Sequence, residues 1–285
     1  ILARNRFSIC LKGIAGGAKK IVLMLSYPSD EVGNSLVSLD QVDETDIEWY
    51  LAQYERRKGL HGKLETTTYN NERRFLSAFY TWMRKSKFIA DNPVESTEPK
   101  KVILKPIDYY SPEEIIRIRD ACQNERERAI IEVFRSTGAR VGEIAEITME
   151  QVNLETGDIW IQGEKGGKYR TLYLDDDAKH YYKLYLETRI DSSPYMFPSS
   201  RRPYGKMCTC SFRNIMKAIG RRAGLTCRVY PHKMRKTLGM NLKNKGVDIG
   251  TIQEVLGHAS PAVTSQYYAQ STPHTLRGVR ERVSV

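Results

Sequence analysis

The sequence predicts a mainly α-helical chain with a small antiparallel β-sheet, organised as a helical domain followed by an α+β domain. Three observations predict it. The length of 285 residues exceeds one average domain and suits two cores. Apolar side chains recur at helical spacing through most of the chain. Two short alternating segments flank a glycine-containing turn, which is how a hairpin reads.

Residues 1–35 form an N-terminal segment without an assigned role; its most apolar run, residues 20–26, is short and reads as buried structure. Residues 36–95 read as a helical domain. Ile47, Leu51 and Tyr54 fall on one face of a first helix, and Phe75, Phe79 and Trp82 repeat the pattern in a second between Thr66 and Lys85. Asn92-Pro93 ends that helical stretch, because proline lacks a donor and restricts the residue before it. The polar, lysine-rich stretch 96–107 reads as a linker, and 108–285 as the second domain. There, Ser111-Pro-Glu-Glu is a capping-box start with proline at the first helical position. A second helix covers about residues 126–136, and a third follows Arg140. Ile159-Trp-Ile-Gln and Tyr169-Arg-Thr-Leu-Tyr-Leu then read as two strands, with Lys165 at the hairpin tip. Beyond Ala178 the pattern returns to helices, punctuated by residues 192–206 and by Gly224, Pro231, Gly246 and Gly257.

A net charge of +11 from 45 lysines and arginines attracts polyanions by counterion release, so nucleic acid is the favoured partner. No segment approaches the roughly 18 apolar residues that span a bilayer, which leaves no membrane role. The five cysteines, Cys10, Cys122, Cys208, Cys210 and Cys227, are odd in number and scattered. That suits a reducing compartment better than a disulfide framework; the expected localisation is cytoplasmic, nucleoid-associated. Cys208-Thr-Cys210 lacks a second ligand pair for a metal. The first residue is Ile, as in a fragment of something longer.

Seven polar positions carry the chemistry. Thr137-Gly-Ala-Arg140 ends one helix and brings a guanidinium to the start of the next, where amides also favour an anion; Glu143 is placed to hold it. Lys165 on a hairpin tip can reach a leaving oxygen and protonate it. His232 and Arg235 lie three residues apart, hence on one helix face, with Pro231 at its first turn. Arg235 can clamp two phosphate oxygens. His258 follows Leu256-Gly257, a helix end. Tyr267 and Tyr268 offer phenols, and tyrosine can attack phosphorus to leave a covalent phosphodiester. Each has an ordinary structural reading: a surface ion pair, a turn lysine, a basic helix face, a cap, a packing aromatic. Only the ordered set is specific.

The set Thr-Gly-Ala-Arg140-Val-Gly-Glu, Lys165, His232-x-x-Arg235, Leu-Gly-His258 and the following tyrosine resembles the tyrosine recombinase (phage integrase) family. Its catalytic domain is matched by about residues 108–278, and 36–95 look like the family's helical core-binding domain. The resemblance implies site-specific cutting and rejoining of duplex DNA through a 3′-phosphotyrosyl intermediate, in integration or excision of a mobile element. Arg140 and Arg235 would bind the scissile phosphate, Lys165 would act as general acid, and His232 and His258 would donate or exchange protons. Tyr268 is favoured as nucleophile by the apolar residues Leu276 and Val279 downstream, with Tyr267, nine residues after His258, as the fallback. No metal or nucleotide cofactor is implied, since the arginines neutralise the charge. The implied partners are double-stranded DNA, further copies of the chain in a tetramer on two duplexes, and an accessory directionality factor. Where members carry His-x-Leu-Arg this chain has Met234. The rival readings are a type IB topoisomerase-like enzyme or telomere resolvase, and a DNA-binding regulator without catalysis.

Overall fold

The computed structural model describes residues 7–10, 22–25, 42–56, 64–103, 106–162 and 169–257. The chain divides into two compact units, 1–105 and 106–285. No helix of the described residues is long and apolar enough to cross a membrane.

In the first unit, β1 (Phe7–Cys10) pairs antiparallel with β2 (Val22–Leu25), Phe7 opposite Leu25. Helix α1 (Glu44–Glu55) opens on a capping box in which Asp43 accepts from the Asp46 amide. Helix α2 (Thr66–Lys85) packs Leu76, Phe79, Tyr80 and Met83 against Ile47, Tyr50 and Leu51 of α1. This corrects the expected face of α2: Phe79 is buried, but Phe75 and Trp82 are 49% and 55% exposed. Both residue sets have helical spacing, and the buried one sits a residue further along, where Leu76 meets α1. Asn92 is buried and donates to Ser77 O and Thr81 Oγ1 while accepting from the Val94 amide. Thr97 accepts from Arg73, and the Lys100 amide donates to Asn70. Residues 94–100, which overlap the stretch read as linker, therefore lie along α2.

In the second unit, α3 (Pro112–Asp120) carries the expected Ser111–Glu114 capping box with Pro112 at its start. Helix α4 (Glu125–Thr137) forms the centre, with Ile130, Ile131, Val133 and Phe134 fully buried. Around it stand α5 (Val141–Glu146), α6 (Asp176–Glu187), α7 (Thr209–Arg222), α8 (Pro231–Asn244) and α9 (Ile249–Leu256). Strands β3 (Asp158–Gln162) and β4 (Tyr169–Tyr173) pair antiparallel, Ile161 opposite Arg170. Their inner face is Ile159, Ile161 and Leu172, and Trp160, Tyr169 and Tyr173 face outward.

One cysteine expectation is corrected. Cys208 and Cys210 are joined by a disulfide. Cys208 is the extended cap of α7 and Cys210 its second helical residue, so their Cα atoms lie 5.3 Å apart, inside the bonding range. Cys122 and Cys227 are free.

Candidate active site

Thr137, Gly138 and Ala139 build the turn that delivers Arg140. The Thr137 hydroxyl donates to Val133 O at 2.6 Å and accepts from the Ala139 amide at 3.3 Å. Gly138 ends α4 in the left-handed region, φ 56°, which disfavours any side chain. A Cβ there would also lie 2.8 Å from Leu238 Cδ2 on α8. Gly138→Ala is expected to cost about 2 kcal/mol from the combined strain and overpacking, measured as a lowered urea midpoint; an unchanged midpoint would contradict this account of the turn.

Arg140 caps α5. Its amide donates to Glu143 Oε2 at 2.7 Å, its Nη1 to Glu143 Oε1 at 2.8 Å and its Nη2 to Gly257 O at 3.0 Å. Glu143 is buried. Burial alone would push its carboxyl up, but the Arg140 amide and the guanidinium groups of Arg170 and Arg140 outweigh it and hold the pKa below the usual carboxylate value. Glu143 is therefore an anion that fixes Arg140, in keeping with the structural part read for it.

Pro231 starts α8, and the next turn splits by face. His232 reaches solvent, whereas Lys233, Met234 and Arg235 are buried. Arg235 Nη1 donates to Gly138 O at 2.8 Å and its Nη2 to Leu256 O. Arg140 and Arg235 thus bond the carbonyls of adjacent residues, Gly257 and Leu256, at the end of α9. The His232 pKa is lowered, first by loss of hydration on its packed side and then by the charges of Lys236, Arg235 and Arg140. At neutral pH the imidazole is uncharged, able to donate from one nitrogen and accept at the other.

These residues share one cleft of about 690 Å³, lined also by Arg213 and Lys217 from α7, by Arg228, and by Ala139, Val141, Val229, Tyr230 and Pro231. Six of the eleven lining residues are basic and none is acidic, so the cleft suits an anion. Lys233 takes no part. Although its neighbours made this helix face look uniformly basic, its ammonium turns inward to Asp108 Oδ1 at 2.6 Å and lies over the Tyr110 ring. Of the expected site residues, Arg140, His232 and Arg235 come together. Lys165, His258, Tyr267 and Tyr268 lie outside the described residues. Arg170 was not foreseen, although strand alternation places it on the buried face with Leu172.

The profile of the phage integrase family matches residues 109–274, more than half of the chain. The chain belongs to the phage integrase family. A tyrosine recombinase XerA of Pyrococcus furiosus is 37% identical over 161 residues, which are 56% of this chain and 55% of that protein; the integrase-family chain therefore spans about half the length of that relative. A crystal structure of XerA recombinase is similar with a TM-score of 0.57 and 26% identity, over 87% of this chain and 86% of that one. The Tn1549 transposon integrase in complex with transposon right end DNA gives a TM-score of 0.68 at 19% identity, covering 90% and 89%, and shares the fold. This integrase-family chain thus shares its family with proteins named tyrosine recombinases and its fold with the solved structures.

Proposed function

We propose that this chain cuts and rejoins duplex DNA at specific sites through a 3′-phosphotyrosyl intermediate, in the integration or excision of a mobile element. The observation that carries the reading is the convergence of Arg140, His232 and Arg235 in a basic cleft without a carboxylate in its lining. A phosphodiester attacked by an oxygen nucleophile gathers negative charge on its nonbridging oxygens, and two preset guanidinium groups stabilise that charge more in the transition state than in the ground state. Arg140 and Arg235 serve that purpose, and His232, uncharged before reaction, donates to an oxygen or takes the phenol proton. Tyr268, with Tyr267 as its alternative, forms the new O–P bond. The 5′ oxygen leaves with the electron pair of the broken bond and takes a proton from Lys165. His258 adds a further donor.

Because the phosphotyrosyl bond replaces one phosphodiester with another, a 5′ hydroxyl from a second duplex can reverse the step and complete strand exchange. Duplex DNA is the partner, held by Arg213, Lys217 and Arg228 beside the scissile phosphate and by the helical first unit elsewhere. Such cationic contacts position the protein without reading bases. Exchange between two duplexes calls for four copies of the chain, with an accessory factor setting direction.

The test uses a duplex that the protein selects from a random-sequence pool, nicked beside the cleavage position so that the released fragment diffuses away. Wild type is expected to accumulate a covalent complex that survives denaturation, and Tyr268→Phe to form none. Loss in Tyr267→Phe with a normal Tyr268→Phe moves the nucleophile by one residue. Absence of adduct in wild type on selected duplexes rejects the enzyme reading in favour of a binding protein. Joints between two different duplexes distinguish a recombinase from a topoisomerase, which reseals its own strand.

A further inference from the structure

Arg170 has no part in the chemistry above, yet its surroundings tie it to Arg140. On β4 it shares a face with Leu172 and Leu174 and pairs with Ile161, all three buried, so the fold drives a cation inward. Only 16% of its side chain is exposed. A cation so placed is tolerated when carboxylate and carbonyl partners replace its water. Its Nη2 meets Glu143 Oε2 at 2.7 Å and its Nη1 meets Val255 O at 3.2 Å. The guanidinium also lies flat against Gly257, where a Cβ would fall 2.3 Å from Nη1 and 2.6 Å from Cζ, and where φ is 61°.

Two consequences combine. The Glu143 carboxylate is shared: Oε1 serves Arg140 Nη1, while Oε2 serves the Arg140 amide and Arg170. Without Arg170, Oε2 keeps only the Arg140 amide and has a lone pair released for the Arg140 guanidinium, so both oxygens can close on that fork as a bidentate pair, which turns it away from any phosphate. In addition, the last three carbonyls before His258 each take one guanidinium: Val255 takes Arg170, Leu256 takes Arg235 and Gly257 takes Arg140. Cations at the C-terminal end of a helix are favoured by its dipole, and here they lock that end in place.

We propose that Arg170 is a positioning residue of the active site, holding one oxygen of Glu143 and the end of α9 so that Arg140 keeps its guanidinium directed at the scissile phosphate. The proposal rests on the reading of Arg140 as a phosphate ligand. Arg170 itself does not touch the phosphate; it acts through Glu143 and the α9 carbonyls.

The experiment measures single-turnover formation of the covalent complex, at saturating nicked duplex, on two substrates. One carries the ordinary scissile phosphate; the other carries a methylphosphonate there, which lacks the nonbridging charge that Arg140 serves. Arg170→Met is expected to slow the ordinary substrate about 100-fold, the scale of a misplaced group, while DNA affinity stays within about 3-fold because phosphate contacts elsewhere dominate binding. On the methylphosphonate the defect shrinks to less than about 3-fold, since misdirecting a charge-neutralising group costs little where there is no charge to neutralise. Arg170→Lys, which keeps a cation against Glu143 and preserves folding, is expected to recover part of the ordinary rate and all of the methylphosphonate rate. An equal loss on both substrates would assign Arg170 a merely structural part and overturn the proposal. So would an Arg170→Met rate matching wild type on the ordinary phosphate. Should wild type form adducts while Arg140→Ala is unimpaired, the phosphate-ligand reading falls, and the proposal falls with it.

Discussion

Arg235→Ala is expected to reduce covalent-complex formation by about 1000-fold, the upper end of what losing one preset donor to a developing oxyanion costs. It is also expected to lower the unfolding free energy by about 2–4 kcal/mol, the desolvation penalty of two stranded acceptors. Both effects have one origin. The Arg235 side chain is buried and spends Nη1 on Gly138 O and Nη2 on Leu256 O, so it joins the end of α4 to the end of α9 from the wall of the cleft. Arg235→Lys keeps the charge, but a single ammonium cannot span both carbonyls and a phosphate oxygen. It should restore part of the stability and little of the rate, leaving a loss on the order of 100-fold. Single-turnover trapping on the nicked duplex and urea titration read the two effects separately. A lysine variant with wild-type rate would show that charge alone suffices and that the fork geometry described here is not used.

A second large effect is expected away from the cleft. Glu132 on α4 is fully buried and accepts from Arg119 Nε at 2.5 Å, Arg128 Nε at 2.8 Å and Arg135 Nε at 2.6 Å. Arg119 and Arg135 reach on to Asp177 and Asp175 at the start of α6. Glu132→Gln leaves three cations around a neutral amide and should cost about 3–5 kcal/mol, as when one partner of a buried ion pair is removed. That is a large share of the roughly 5–15 kcal/mol that holds a domain folded. None of these groups lines the cleft, so folded variant at low temperature should cleave within about 3-fold of wild type, the range of changes distant from a site. A urea midpoint shift worth less than about 1 kcal/mol would contradict the view that this cluster ties α3, α4 and α6 together.

Local chemistry was legible where a residue acts on its own backbone neighbours. The Ser111–Glu114 capping box, the left-handed Gly138 and Gly257, and Pro231 at the start of α8 are all visible as short patterns, because each satisfies orphan groups within a few residues. The convergence of Arg140, His232 and Arg235 followed from the ordered set rather than from any one motif. Illegible features depend on which neighbour arrives from afar. Phe75 and Trp82 have the same spacing as Leu76 and Met83, and only the position of α1 decides which pair is covered. Lys233 looks like its basic neighbours until Asp108 and Tyr110 fold over it. Arg170 is the instructive miss: a charged residue in register with Leu172 and Leu174 was a signal in plain view, but its partner Glu143 is 27 residues away. The pairing of β1 with β2 and the Cys208–Cys210 bond likewise needed coordinates.

The split of α8 into an imidazole that faces water and an ammonium that faces inward gives the helix a fixed rotational setting. Each residue advances a helix by about 100°, so one residue lost just before Pro231 would carry His232 into the buried place of Pro231 and Lys233 into the exposed place of His232. The proline works as an index pin for the whole screw. The buried Lys233, Met234, Arg235 and Thr237 all depend on that setting, so the starting point of the helix admits no slippage.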